Sequence, residues 1–140
     1  MSFFKIFSFQ RQNLNGFTAW CVMGWVWVGL VWYLSLTSRP PDLDIGLSLN
    51  DKLGHFIAYA WLMLWFGNVY RGYQARVVYA LIFILMGIGL EFLQSLGSRQ
   101  FDYYDMLANF IGVMIGFFIL FTPFSKSFVW IERRIFGISR

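Results

Sequence analysis

Three short runs of polar residues carry types and spacings that could do chemistry. The first is Asp51, Lys52, His55 and Tyr59: on a helix, Asp51, His55 and Tyr59 recur every fourth residue and share a face, with Lys52 at its edge. The second is Glu91 with Gln94. The third is Arg99, Asp102, Asp105 and Asn109, whose stripe continues through Gly112 and Gly116. A histidine beside carboxylates could work as an acid/base pair. A carboxylate-rich set could hold Mg²⁺ or Ca²⁺ or receive an ammonium group. Lys52 and Arg99, beside two helix N-termini, would suit a phosphate headgroup, provided a cation bridged the neighbouring acids.

Simpler roles compete for most of these residues. Asp51, Asp102 and Asp105 sit where carboxylates cap helix N-termini. Gly112-x-x-x-Gly116 reads as a helix-packing face, Lys52 as a side chain snorkelling to an interface, and Tyr59 as packing. A lone histidine is commonly structural. Glu91 fits no such role. It lies near the C-terminal end of its run, where the helix dipole disfavours an anion. It also sits five residues, about 7 Å, inside that run. A charge in the centre of a bilayer costs about 2.5–3.5 kcal/mol, and somewhat less at that depth. Glu91 is therefore expected to face the interior with Lys52, His55 or Arg99 as partner, or else to be neutral.

The elements that must position these residues are set by composition. Of the 140 residues, 59% are hydrophobic and 13% charged, against about 25% charged in ordinary soluble domains. A soluble globule this small could not hide that much apolar surface, so a lipid environment is expected for one membrane domain spanning residues 1–140. Four spans are predicted, at about 16–36, 51–70, 77–96 and 105–121. The first is longer than a signal-peptide core and has no small-residue cleavage pattern, so it reads as a retained helix. Asn50 or Asp51 is the expected N-cap of the second span. Phe3, Phe4, Phe7 and Phe9 suit the headgroup region. The tail, 125–140, places Phe128, Ile131, Ile135 and Ile138 at helical spacing among basic residues, as in an interfacial amphipathic helix.

Eight of the eleven Lys and Arg residues fall before the first span, in the second link or in the tail; the others are Arg39, Lys52 and Arg99. The positive-inside rule then places both termini in the cytoplasm. Of the acids, Glu132 alone falls on that side, while Asp42, Asp44, Asp51, Glu91, Asp102 and Asp105 fall on the other. In such an antiparallel bundle the three polar clusters meet at one depth, near the outer face. The basic residues form no contiguous patch for nucleic acid. One Cys and one His exclude an intrachain disulfide and a His/Cys zinc site from a single chain. There is no G-x-S-x-G, P-loop or HExxH motif.

The clusters resemble the VanZ-like family of small bacterial membrane proteins. Asp51-Lys52-Leu53-Gly54-His55-Phe56-Ile57-Ala58-Tyr59 is similar to the family's D-K-x-x-H-x-x-x-Y signature. Glu91-x-x-Gln94 followed by Arg99-x-x-Asp102-x-x-Asp105-x-x-x-Asn109-x-x-Gly112-x-x-x-Gly116 is similar to its second half. The likeness covers residues 51 to 116. It implies a multi-pass protein of the bacterial cytoplasmic (inner) membrane, with Asp51, Lys52, His55, Glu91, Gln94, Arg99, Asp102, Asp105 and Asn109 at matching positions. The namesake of the family is associated with teicoplanin resistance, but the resemblance assigns no catalytic residue.

The expectation is thus an all-α integral membrane four-helix bundle with cytoplasmic termini and an interfacial C-terminal helix. An outward polar pocket would engage a lipid-linked or amphiphilic cell-envelope molecule. Alternatives are an intramembrane metal-assisted enzyme on a lipid headgroup, with His55, Glu91 and Asp105 as candidate catalytic groups, and a small proton-coupled transporter. A divalent cation at the carboxylates and a homo-oligomer are compatible with the sequence.

Overall fold

The structure is a computed structural model and describes residues 10–37, 47–97 and 101–137, with the side chains of 47–50 and 136 set aside. Arg99, Lys5, Arg39, Asp42, Asp44, Ile138, Arg140 and the aromatic residues Phe3 to Phe9 lie outside the described residues, as does the Asn50 side chain.

The described chain is helical apart from two two-residue strands. In order it forms β1 (Gln10–Arg11), α1 (Phe17–Leu36), α2 (Leu47–Val69), β2 (Tyr70–Arg71), α3 (Tyr73–Ser95), α4 (Tyr103–Ile119), a 3-10 turn (Pro123–Lys126) and α5 (Ser127–Phe136). Two helices, α1 and α3, are long and apolar enough to cross a membrane. A third span is added if α4 and the segment after it, bent by 77°, count as one. A 17-residue α-helix such as α4 is about 25 Å long.

α2 is as long as α3 but is not among the spans selected by apolarity. It carries Asp51, Lys52, His55 and Asn68, and it is the hub of the bundle, packing against α1, α3 and α4. Leu62, Met63, Phe66 and Val69 are almost wholly buried. The outer helices instead turn large apolar side chains outward, among them Trp25 and Val26 on α1, Leu81 and Leu85 on α3, and Phe118 on α4. In water these would form an apolar surface far beyond what a soluble monomer exposes. The least apolar of the long helices is therefore the one that packs against the other three, with Leu53, Ile57 and Trp61 still facing outward.

Close packing between α2 and α4 depends on two missing side chains. A Cβ at Gly112 would overlap Phe56 O, and one at Gly116 would lie 2.8 Å from Ala60 O. Both obstacles are backbone and cannot swing aside, so the two helices touch main chain to main chain.

Helix boundaries differ from those read off hydropathy. α2 begins at Leu47, which makes Asp51 a residue of the helix body rather than its N-cap. α3 begins at Tyr73 and not near Val77, because Gly72 reverses the chain at φ 105° and the helix starts directly after it. Arg76 is accommodated inside α3 with its guanidinium 5.4 Å from the Phe121 ring centroid. α4 begins at Tyr103, capped by Asp102, whose carboxylate accepts the Tyr104 amide at 2.8 Å.

One end of the bundle gathers β1, β2 and α5. β1 pairs antiparallel with β2, Gln10 opposite Arg71 and Arg11 opposite Tyr70, and the Gln12 amide donates to Val69 O. α5 folds back beneath α1 and α2, stacking Phe128 on Trp20 with centroids 4.0 Å apart and edge-on against Trp65 at 4.8 Å.

Candidate functional site

At the opposite end, the starts of α2 and α4 run side by side, and the first and third polar clusters meet. Lys52 Nζ donates to Asp102 Oδ2 at 2.8 Å and to Asp105 Oδ1 at 3.4 Å. His55 Nε2 lies 3.7 Å from the other oxygen of Asp105 and 3.8 Å from Asp51 Oδ1. Asp105 is thus shared between an ammonium and an imidazole, and it is only 2% exposed. Burial at that level demands compensation for a carboxylate, which Lys52 supplies. Lys52 also lies 5.8 Å from the ring centroid of Tyr104. The ligating atoms of Asp51, His55 and Asp105 all lie within 4.8 Å of one another, a spacing that a metal ion could bridge.

Glu91 comes up from α3 to the same end. It is 2% exposed, and its carboxylate accepts the backbone amide of Asp102 at 2.7 Å. Among the described residues neither Lys52 nor His55 is within ion-pair distance of it. Among those residues its partner is the main chain at the entry to α4. There the orphan amides and the positive end of the helix dipole favour an anion. The unfavourable position in α3 is offset by a favourable one against α4.

Gln94 leaves the cluster: its amide donates to Ser35 O at 2.6 Å, tying α3 to the end of α1. One turn deeper than His55 and Asp105, Tyr59 and Asn109 are buried beside Gly87, where a Cβ would come within 3.1 Å of Asn109 Nδ2 and 3.3 Å of Tyr59 Cε1. Tyr59 OH and Asn109 Oδ1 have no hydrogen-bond partner among the described residues. Two unsatisfied polar atoms below an ionic cluster are where a ligand atom or ordered water would be expected.

Glu132, the acid of the basic tail, has a defined role that its sequence position does not suggest. Its Oε2 accepts the Asn15 amide at 2.7 Å, and Oε1 accepts the Gly16 amide at 2.9 Å and Trp20 Nε1 at 2.8 Å. α1 has no side-chain cap of its own, and α5 supplies one. Its solitary negative charge among basic neighbours was the only available signal.

No known protein family, curated protein or solved structure matches the chain.

Proposed function

We propose that the chain is a VanZ-like protein that crosses a bacterial cytoplasmic membrane four times, with its termini inside. In this reading the outward cluster of α2, α3 and α4 engages the headgroup of a lipid-linked or amphiphilic cell-envelope molecule. The observation that carries it is the sharing of Asp105 between Lys52 and His55 at the ends of two adjoining helices. Such a cluster offers a headgroup both charges. A phosphate can draw Lys52 from Asp102, and an amine or hydroxyl can enter among the carboxylates. The spacing of the polar residues supports the family reading, and the outward apolar side chains of α1, α3 and α4 support the membrane. The bend after α4 and the basic residues of α5 suit a helix lying in the interface.

The test is alanine substitution at His55 and at Asp105, with membrane abundance followed separately. Polyprenyl phosphate and phosphatidylethanolamine serve as the lipid probes. Both variants should lose probe retention while still accumulating. Wild-type retention in both would exclude the cluster as a headgroup site.

A second reading rests on the spacing of Asp51, His55 and Asp105: a metal-assisted enzyme acting on such a headgroup. The imidazole and carboxylate donors suit Zn²⁺ or Mn²⁺, while Lys52 beside Asp105 opposes a cation. Added Mn²⁺ should then raise the thermal stability of the wild type but not of H55A, and a lipid panel should yield product. The absence of both effects would remove this reading.

A further inference from the structure

We propose a second site at the end of the bundle that carries β1, β2 and α5: a pocket for an anionic phospholipid, its phosphate held in a basic cavity and its acyl chain in an adjoining apolar groove. The cavity, of about 620 Å³, is lined by Arg71, Arg76, Lys126 and Arg133. These cations come from β2, α3, the 3-10 turn and α5, four elements that the fold brings together. Among the described residues none of the four forms an ion pair. The acid in the cavity wall, Glu132, has both oxygens engaged by the start of α1. Arg76 Nε is buried with no acceptor, while the contact with Phe121 fixes its guanidinium. A phosphate in the cavity would meet the four cations that line it. Arginine suits that task through its planar fork of donors.

The groove identifies the rest of the ligand. It has about 560 Å³ and is walled by Trp61, Leu64, Trp65, Phe124 and Ile131. Lys126 and Trp130 line both the groove and the cavity, so the two adjoin at these side chains. A free phosphate would leave the apolar half bare, and a neutral lipid would leave four cations unmatched. A phospholipid with net negative charge satisfies both, and basic pockets among membrane helices bind such headgroups. The site rests on the membrane reading but not on the ligand at the opposite end, so the two can fail independently.

The test uses the full-length protein in neutral detergent, with bound lipid read by native mass spectrometry. The probes are dioleoyl phosphatidylglycerol, dioleoyl phosphatidylcholine, dihexanoyl phosphatidylglycerol and inorganic phosphate. The long-chain anionic lipid should be retained over the other three. Removing both exposed cations (K126Q with R133Q) should weaken its binding about 25-fold, at about fivefold per charge. R71Q alone should weaken it about fivefold. Equal retention of the two dioleoyl lipids, or full retention by the charge variants, would overturn the proposal. Inorganic phosphate or the short-chain lipid binding as tightly as the long-chain lipid would overturn the groove's part in it.

Discussion

Glu132 Oε1, in the last helix, accepts hydrogen bonds from both the Gly16 amide and the Trp20 indole at the start of the first. Two stretches 116 residues apart are joined at one oxygen. The residue is 2% exposed, and burial by itself would raise its pKa. The bonds from Gly16, Asn15 and Trp20 outweigh burial and hold the carboxyl below its ordinary value of 4.5.

The first prediction concerns pH. A depressed folded-state pKa means that the unfolded chain binds the proton more readily. The contribution of Glu132 is therefore complete above pH 4.5 and is lost as pH falls through the lower folded value. Glu132→Gln should lower unfolding free energy by about 1–3 kcal/mol at neutral pH and flatten the acid limb of the stability profile. Denaturant unfolding in detergent at several pH values checks both. An unchanged acid limb would show that Glu132 is not the titrating group.

Glu91 provides the second. Glu91→Ala removes the acceptor for the Asp102 amide and should cost about 1–3 kcal/mol. Glu91→Gln keeps an oxygen there and should cost less, since a neutral acceptor is roughly half as strong as a charged one. If the role is only to hold the start of α4, headgroup binding by the glutamine variant will follow its stability. Loss of binding at full stability would instead give the charge a direct part in the site.

The third tests the α2–α4 contact. Gly112→Val must separate two backbones, and overpacking of this kind costs about 1–3 kcal/mol or more. Thermal unfolding should shift downward, and further than for valine at Gly89, around which nothing lies within 4 Å. Equal shifts at both positions would argue against the close crossing.

The fourth concerns the pair at the polar end. Lys52→Met leaves Asp105 buried with its ammonium partner removed, and the variant should be less stable than the wild type. Adding Asp105→Asn should recover part of that loss, giving a non-zero coupling in a double-mutant cycle. Additive effects would show that the two side chains do not interact.

Much of this was legible in the sequence, for identifiable reasons. Hydropathy marks α1 and α3 because they are apolar over most of their surface and turn large apolar side chains outward. Helical spacing brings Lys52 and His55 onto one face, and the parallel run of α2 and α4 sets Asp105 opposite both. What stayed hidden depended on backbone partners. Glu91 was expected to meet Lys52, His55 or Arg99 or to be neutral; among the described residues, which leave out Arg99, it meets the Asp102 amide, and Gln94 meets the Ser35 carbonyl. A main-chain partner has no residue type to betray it. Arg71, Arg76, Lys126 and Arg133 are dispersed along the chain and read as topology signals, since only the folding back of α5 collects them. The start of α3 is set by Gly72 rather than by where charge ends.

The bond network around Glu132 also orders events in time. A ribosome releases α1 long before α5, so the first helix must wait with Asn15, Gly16 and Trp20 lacking this acceptor until residue 132 has been made. Assembly therefore closes from α5 back to α1. A polypeptide broken off between α1 and residue 132 would carry that unfinished contact as a mark by which quality control could tell it from one that includes α5.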